Sequence, residues 1–246
     1  MKVLTIFLTI FVSISCFSQN PEGMVLIPSG SFIMGKNTTG PSDWQPEHNV
    51  TLNSFYMDIK EVTNKQYYEF CTATNTPLPQ FWDLKEFKSG MDFPDYPVVG
   101  VSYMDAEKYA RWAGKSLPTE AQWEYAARGG LIGKNFPFGD QIDSTMVNFG
   151  SKYKGIVKVG SFPPNGFGLC DITGNVWEWT TDYYSDDYYA QSPAENPKGP
   201  ARGRFKVIRG GSWHSGMMCV QTYYRNGLSP SWVDFAVGFR CVKDVK

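Results

Sequence analysis

Histidine is nearly absent. The 246 residues contain two, His48 and His214, and two imidazoles cannot build a three-histidine metal centre. Net charge is also missing: 23 Lys and Arg against 24 Asp and Glu leave −1. That balance gives no electrostatic reason to expect nucleic acid or an anionic membrane surface as partner. No internal repeat, low-complexity tract or linker divides the chain, so it reads as one domain with a leader. Beyond the first residues no apolar run could cross a bilayer, so no transmembrane span remains once the leader is removed. The Gly-x-Ser-x-Gly elbow and the glycine-rich phosphate loop are absent too, which removes two common catalytic templates.

Aromatic residues make up 16%, with 24 Gly and 16 Pro. Together these predict a loop-rich fold tied by aromatic packing. Lys2 followed by the apolar run Val3 to Ile14 reads as a signal peptide over residues 1–18, too short to span a membrane. Cleavage after Ser18 would release a soluble exported protein, periplasmic or extracellular. Cleavage before Cys16 would give a lipoprotein, but Ser13-Ile14-Ser15 is a poor lead-in. Removing the leader leaves Cys71, Cys170, Cys219 and Cys241. These are either up to two disulfides or four buried small apolar residues.

From residue 22 to 246 the order is strands, then helices, then a long irregular half, an α+β plan. Met24 to Pro28 and Gly30 to Gly35 read as short strands joined by a Pro28-Ser29-Gly30 turn. His48 to Asn53 and Ser54 to Asp58 alternate like strands. Tyr67, Phe70, Cys71 and Thr74 then fall at helical spacing, with Thr63 as cap. Residues 75–97 carry Phe81, Trp82, Phe87 and Phe93, which predicts an ordered lid packed on the surface. Ser102 with Asp105 starts a second helix that ends at Gly114. Thr119 and Gln122 form a capping box for a third, stopping at Gly129-Gly130. Phe205 to Arg209 and Val237 to Val242 are the late strand candidates.

The stretch from Gly166 to Trp179, GFGLCDITGNVWEW, fits neither helix nor strand. Asp171 and Glu178 bracket it, and carbonyls at Gly174 and Val176 could turn inward between them. Such a mix of carboxylate and backbone oxygens suits Ca²⁺. The same residues also read as an aromatic-rich core turn. Asp182, Asp186 and Asp187 follow with Tyr183, Tyr184, Tyr188 and Tyr189, a tract that reads as a solvated loop with some tyrosines packed.

Several segments stand in a particular order: Glu61-Val62-Thr63-Asn64, Pro97 to Ser102, Trp112 to Ala126, Phe162 to Leu169, Gly174 to Trp179, Arg209-Gly210-Gly211-Ser212-Trp213 and Gly238-Phe239-Arg240. In that order and spacing the chain resembles the formylglycine-generating enzyme (sulfatase-modifying factor) family. The resemblance implies a variant of the C-type-lectin-like fold, with about three helices, short antiparallel strands and little regular structure. It also implies Ca²⁺ held by Asp171, Gly174, Val176 and Glu178. A second family calcium site would begin at Asn148 and Phe149, but its acidic partner falls in a shortened loop, residues 150–160.

Catalytic members of that family use O₂ and Cu(I), holding the metal with two cysteines after Gly-Gly-Ser. Soft thiolates suit Cu(I). Here the corresponding positions are Ser215 and Val220, with Cys219 one place away, so copper is not expected. Ser212, Ser215, Cys219 and Trp177 are the residues nearest to that chemistry. The resemblance therefore implies an exported binding or accessory module for a protein, peptide or glycan ligand. Two alternatives stand beside it: an oxidase whose site is rearranged around Cys219 and Cys170, and a structural part of an envelope or secretion assembly.

Overall fold

A computed structural model of the protein describes residues 20–39 and 42–245. The leader at 1–18 and Cys16 lie outside the described residues. Nine short strands and three helices follow the α+β order: β1 (Met24–Ile27), β2 (Gly30–Met34), β3 (His48–Leu52), β4 (Phe55–Asp58), α1 (Asn64–Thr74), α2 (Tyr103–Trp112), α3 (Glu120–Arg128), β5 (Trp177–Tyr183), β6 (Lys206–Arg209), β7 (Arg225–Leu228), β8 (Val237–Gly238) and β9 (Val242–Asp244). No described helix is long and apolar enough to cross a membrane.

All three helices begin where their caps predict. Thr63 with Gln66, Ser102 with Asp105, and Thr119 with Gln122 each close a reciprocal capping box. Each box satisfies two N-terminal amides that a helix otherwise leaves bare. α1 and α3 stop at residues in the left-handed region, Asn75 and Gly129.

The strands form three small sheets, in the orders β1-β4-β9, β2-β3 and β7-β6-β5-β8. The turn at Pro28-Ser29-Gly30 therefore does not close a hairpin. It hands the chain from one sheet to another, since β1 pairs with β4 and β2 with β3. The pairings are antiparallel except β5 with β8, which runs parallel. The single late strand read over Val237 to Val242 is two, β8 and β9, interrupted where Arg240 turns inward.

Two main apolar clusters fill the interior. One packs α1 and α2 against Trp177, Trp179 and Phe239. The other packs β2, β3 and β4 against α3 and the loop residues Leu169 and Ile172. The lid over 75–97 is ordered by ring contacts, with Phe87 between Phe81 and Phe235 at 5.0 and 5.2 Å. The four described cysteines are unpaired, so they serve as small, partly or fully buried side chains and not as disulfides.

The polar, aromatic tract after β5 is less solvated than its composition suggests. Tyr188 and Tyr189 are buried, and Asp182 is 2% exposed. Burial and the Glu120 charge push the Asp182 carboxyl up to about 7. A folded-state pKa above the unfolded one favours the protonated fold, so this stability is complete below about pH 4 and lost as pH rises to about 7. Asp182→Asn keeps an acceptor for the Glu120 amide, 2.8 Å away. Calorimetry at pH 5 and pH 8 is expected to show that Asp182→Asn removes about 2–3 kcal/mol of destabilisation between those two pH values.

Candidate functional site

The stretch from Gly166 to Trp179 is buried from Asp171 onward and ends in β5. Its first half is wound around Asn165, whose amide donates to the Ala126 and Ala127 carbonyls that end α3, at 2.8 and 3.1 Å. The same side chain accepts from the Phe167 and Leu169 amides. Gly166 is required because a Cβ there would strike the Gly129 carbonyl.

Asn175 is the hub of the second half. Its backbone amide donates to the Asn148 carbonyl at 2.9 Å, and its carbonyl accepts from Trp213 at 3.0 Å. Its side chain accepts from the Val157 amide and donates to Glu61 Oε1, both at 2.9 Å. One fully buried amide thus joins four distant segments. The spacing of residues held no sign of this; only its place in the Gly174 to Trp179 motif marked it.

Glu178 points inward against Arg240. Arg240 Nε lies 3.0 and 2.9 Å from its two oxygens, and Nη2 lies 2.8 Å from Oε1. Trp123 Nε1 donates to Oε2 at 2.9 Å. Three N–H groups thus make four contacts with the carboxylate, the Arg240 Nε hydrogen being shared between the two oxygens. Glu178, expected as a calcium carboxylate, pairs in the structure with a buried guanidinium.

Asp171 adopts a left-handed backbone, φ 53°. Its carboxylate accepts from the Gly160 amide and, at 3.3 Å, from the Phe162 amide. Glu61 completes the corner. It is 1% exposed, and its Oε2 has no hydrogen-bond partner. Burial and then the Asp171 charge hold the Glu61 carboxyl well above the usual range. Burial raises Asp171 as well, against the hydrogen bond from Gly160. Glu61, Asp171 and Glu178 thus surround one guanidinium, Arg240, with an excess of negative charge.

That excess fits a hard cation, with a different donor set from the expected one. Glu61 Oε2 is the free oxygen, Asp171 retains lone pairs, and the Gly174 and Val176 carbonyls flank Asn175, the residue bonded to Glu61. Among the described residues no three His, Cys, Asp or Glu side chains gather as a metal cluster, so backbone oxygens would have to complete the shell. Sequence reasoning assigned Glu61 only to a helix start; the orphaned oxygen is what marks it. At the second expected site Asn148 Oδ1 is buried without a hydrogen-bond partner. Asn148 turns its amide nitrogen to the Gly155 carbonyl at 3.0 Å, Phe149 packs with an apolar cluster, and residues 150–160 contain lysines and no acid.

The positions where thiols would hold copper are closed. Val220 is fully buried among Phe136, Ile142 and Val147. Ser215 is buried, its Oγ taking the Ser212 amide at 3.0 Å and lying 3.0 Å from Ser212 Oγ. His214 Nδ1 lies 3.2 Å from Ser212 Oγ, with its ring between Trp213 and Phe235. Cys219 and Cys170 have separate surroundings. Cys219 hydrogen-bonds Tyr224, whereas Cys170 sits among Asp171, Arg240 and Lys60. Trp177 is buried beside Tyr224, with rings 6.0 Å apart. His48 is bound to the Pro46 carbonyl at 3.0 Å, away from this region.

Comparison with known proteins agrees with this architecture. The family described as "Sulfatase-modifying factor enzyme 1-like domain" matches residues 13–245. A formylglycine-generating enzyme of Streptomyces coelicolor is 33% identical over 293 residues, covering 92% of this chain and 90% of that protein. Serine/threonine-protein kinase pkn1 of Chlamydia pneumoniae is 38% identical over 238 residues, and there this chain spans only 38% of the relative's length. The solved structure of PvdO from Pseudomonas aeruginosa superposes with a TM-score of 0.79 at 30% identity, covering 90% of this chain and 94% of that one.

Proposed function

The chain belongs to the sulfatase-modifying factor family, and from that membership we propose a binding or accessory domain that lacks the family's copper-dependent oxidase chemistry. The observation that carries this reading is Val220 in an apolar core, with Ser215 tied into Ser212, where two thiolates are needed. A lone Cys219 cannot supply a two-thiolate Cu(I) site. The signal-peptide pattern of residues 1–18 supports export, which places the domain where it meets an extracellular or periplasmic protein, peptide or glycan. Incubation of a sulfatase-motif peptide with the protein, copper and O₂ tests the reading. Mass spectrometry is expected to find the peptide cysteine unchanged; conversion to formylglycine would overturn it.

Calcium belongs to the same proposal as a structural clamp. Glu61 and Asp171, with the Gly174 and Val176 carbonyls, would hold it and neutralise the carboxylate excess around Arg240. A cation that binds only the folded chain stabilises it by about 2.7 kcal/mol at one hundred times its dissociation constant. Chelation is therefore expected to lower the melting temperature, and Glu61→Gln to abolish the response to added Ca²⁺. An unchanged melting curve with chelator would remove calcium from the account.

A further inference from the structure

A cavity lies against the carboxylate corner around Arg240. Asp58, Ile59, Lys60 and Glu61 form one wall of this space of about 230 Å³. The same segment braces the corner: the Asp58 and Ile59 carbonyls accept from Arg240 Nη1, and the Ile59 carbonyl accepts from the Cys170 amide at 2.9 Å. Glu61 therefore belongs to both. Its Oε1 accepts from Asn175 at 2.9 Å, and its Oε2 is the buried oxygen without a partner. An unpaired carboxylate oxygen beside a cavity marks where a cation from solvent would arrive.

The cavity carries two lysines in different states. Lys115 Nζ is paired with Asp58 at 2.5 Å. Lys60 is exposed and forms no ion pair or hydrogen bond with a described residue. Its side chain lies along Gly160: a Cβ on that glycine would come 2.6 Å from Lys60 Cε and 2.8 Å from Nζ. The Gly160 amide is the one that holds the Asp171 carboxylate. Lys60 is also among the charges beside Cys170, the neighbour of Asp171. A free ammonium thus reaches the corner from the cavity side, next to Glu61 in the chain and over the backbone that fixes Asp171. The cavity adjoins a wider basin of about 640 Å³, where Lys158 is paired with Asp95 at 3.6 Å and Lys65 is exposed.

We propose that Lys60 is the gate of the carboxylate corner, a tethered cation that repels an entering divalent ion and sets how tightly and how fast the corner takes it, a role that rests on the calcium reading and names what regulates that site. Repulsion between one ammonium and a doubly charged ion at the cavity mouth is worth about a five-fold change in affinity even at the dielectric constant of water. The neighbouring lysines are placed differently. Lys115 and Lys158 are offset by their carboxylates, and Lys65 lines the outer basin but not the cavity.

Titration of the full mature chain with calcium chloride by calorimetry, with entry rates from stopped-flow mixing, tests the gate. Lys60→Met is expected to bind calcium about five-fold more tightly or better, through faster entry. Lys60→Arg keeps the charge and is expected to stay within about two-fold of the wild type; so is Lys65→Met, which removes an equal charge from the outer basin. Equal affinity of Lys60→Met and the wild type overturns the gate and leaves the calcium reading standing. Equal tightening by Lys65→Met overturns it too, since the effect is then one of net charge. Binding by Lys60→Met alone supports the gate and removes calcium from the wild-type chain. Absence of binding by both overturns the gate and the calcium reading together.

Discussion

Glu178→Ala lowers the unfolding free energy by about 3–5 kcal/mol, because it leaves the buried Arg240 guanidinium without the carboxylate that takes its Nε and Nη2 hydrogen bonds. Arg240 and Glu178 are at most 1% exposed at their side chains. Arg240 also donates to the Asp58, Ile59 and Cys170 carbonyls, so it cannot swing out to water without loosening the end of β4 and the central loop together. For a chain of this size the loss corresponds to a fall in melting temperature of about 6–20 °C. Calorimetry on the single variant measures it. The paired change Glu178→Leu with Arg240→Met separates charge from shape: replacing both partners with apolar groups is expected to recover most of the loss, as buried pairs often allow.

Glu124→Leu is expected to cost a similar amount, about 3–5 kcal/mol, through a second network. Glu124 Oε1 accepts from Arg128 at 2.7 Å and from the Gly35 amide at 2.9 Å, and Oε2 accepts from Arg209 at 2.6 Å. Beside it Glu120 binds Arg209 and Arg225 at 3.1 and 2.7 Å. These ion pairs fasten α3 to β6 and β7, and the Gly35 contact fastens it to the end of β2. Burial works to raise the Glu124 carboxyl, but Arg128 and Arg209 outweigh it and hold the pKa below the ordinary value. A depressed carboxylate contributes stability that is present above the unfolded pKa and lost as pH falls through the folded one. Acid titration followed by circular dichroism is expected to show the wild type losing this contribution below about pH 4, and the Glu124→Leu variant having none to lose.

The helices were legible because their signals are local. A Thr or Ser followed three residues later by Gln or Asp satisfies helix-end amides within four residues, whatever lies elsewhere. β5 was not legible for the opposite reason. Trp177-Glu178-Trp179-Thr180-Thr181-Asp182-Tyr183 is buried on both faces over most of its length, so it shows no alternation. Its neighbours β6 and β8 come from far along the chain. The borders of the central loop were legible in the sequence, but the partners of its residues were not. Arg240 lies 62 residues from Glu178, and Glu61 lies 114 from Asn175. Spacing carries no information about such contacts. Ser215 and Val220 are assigned to the copper positions only through the family resemblance; that Val220 fills an apolar cluster could be known only from its neighbours.

The most direct test of the account is an anaerobic Cu(I) titration of the reduced protein in competition with a chromophoric chelator. With Ser215 and Val220 in place of a thiolate pair, the chelator is expected to keep its copper at one equivalent of protein. Stoichiometric removal of Cu(I) from the chelator by the wild-type chain, lost in Cys219→Ser, would contradict it.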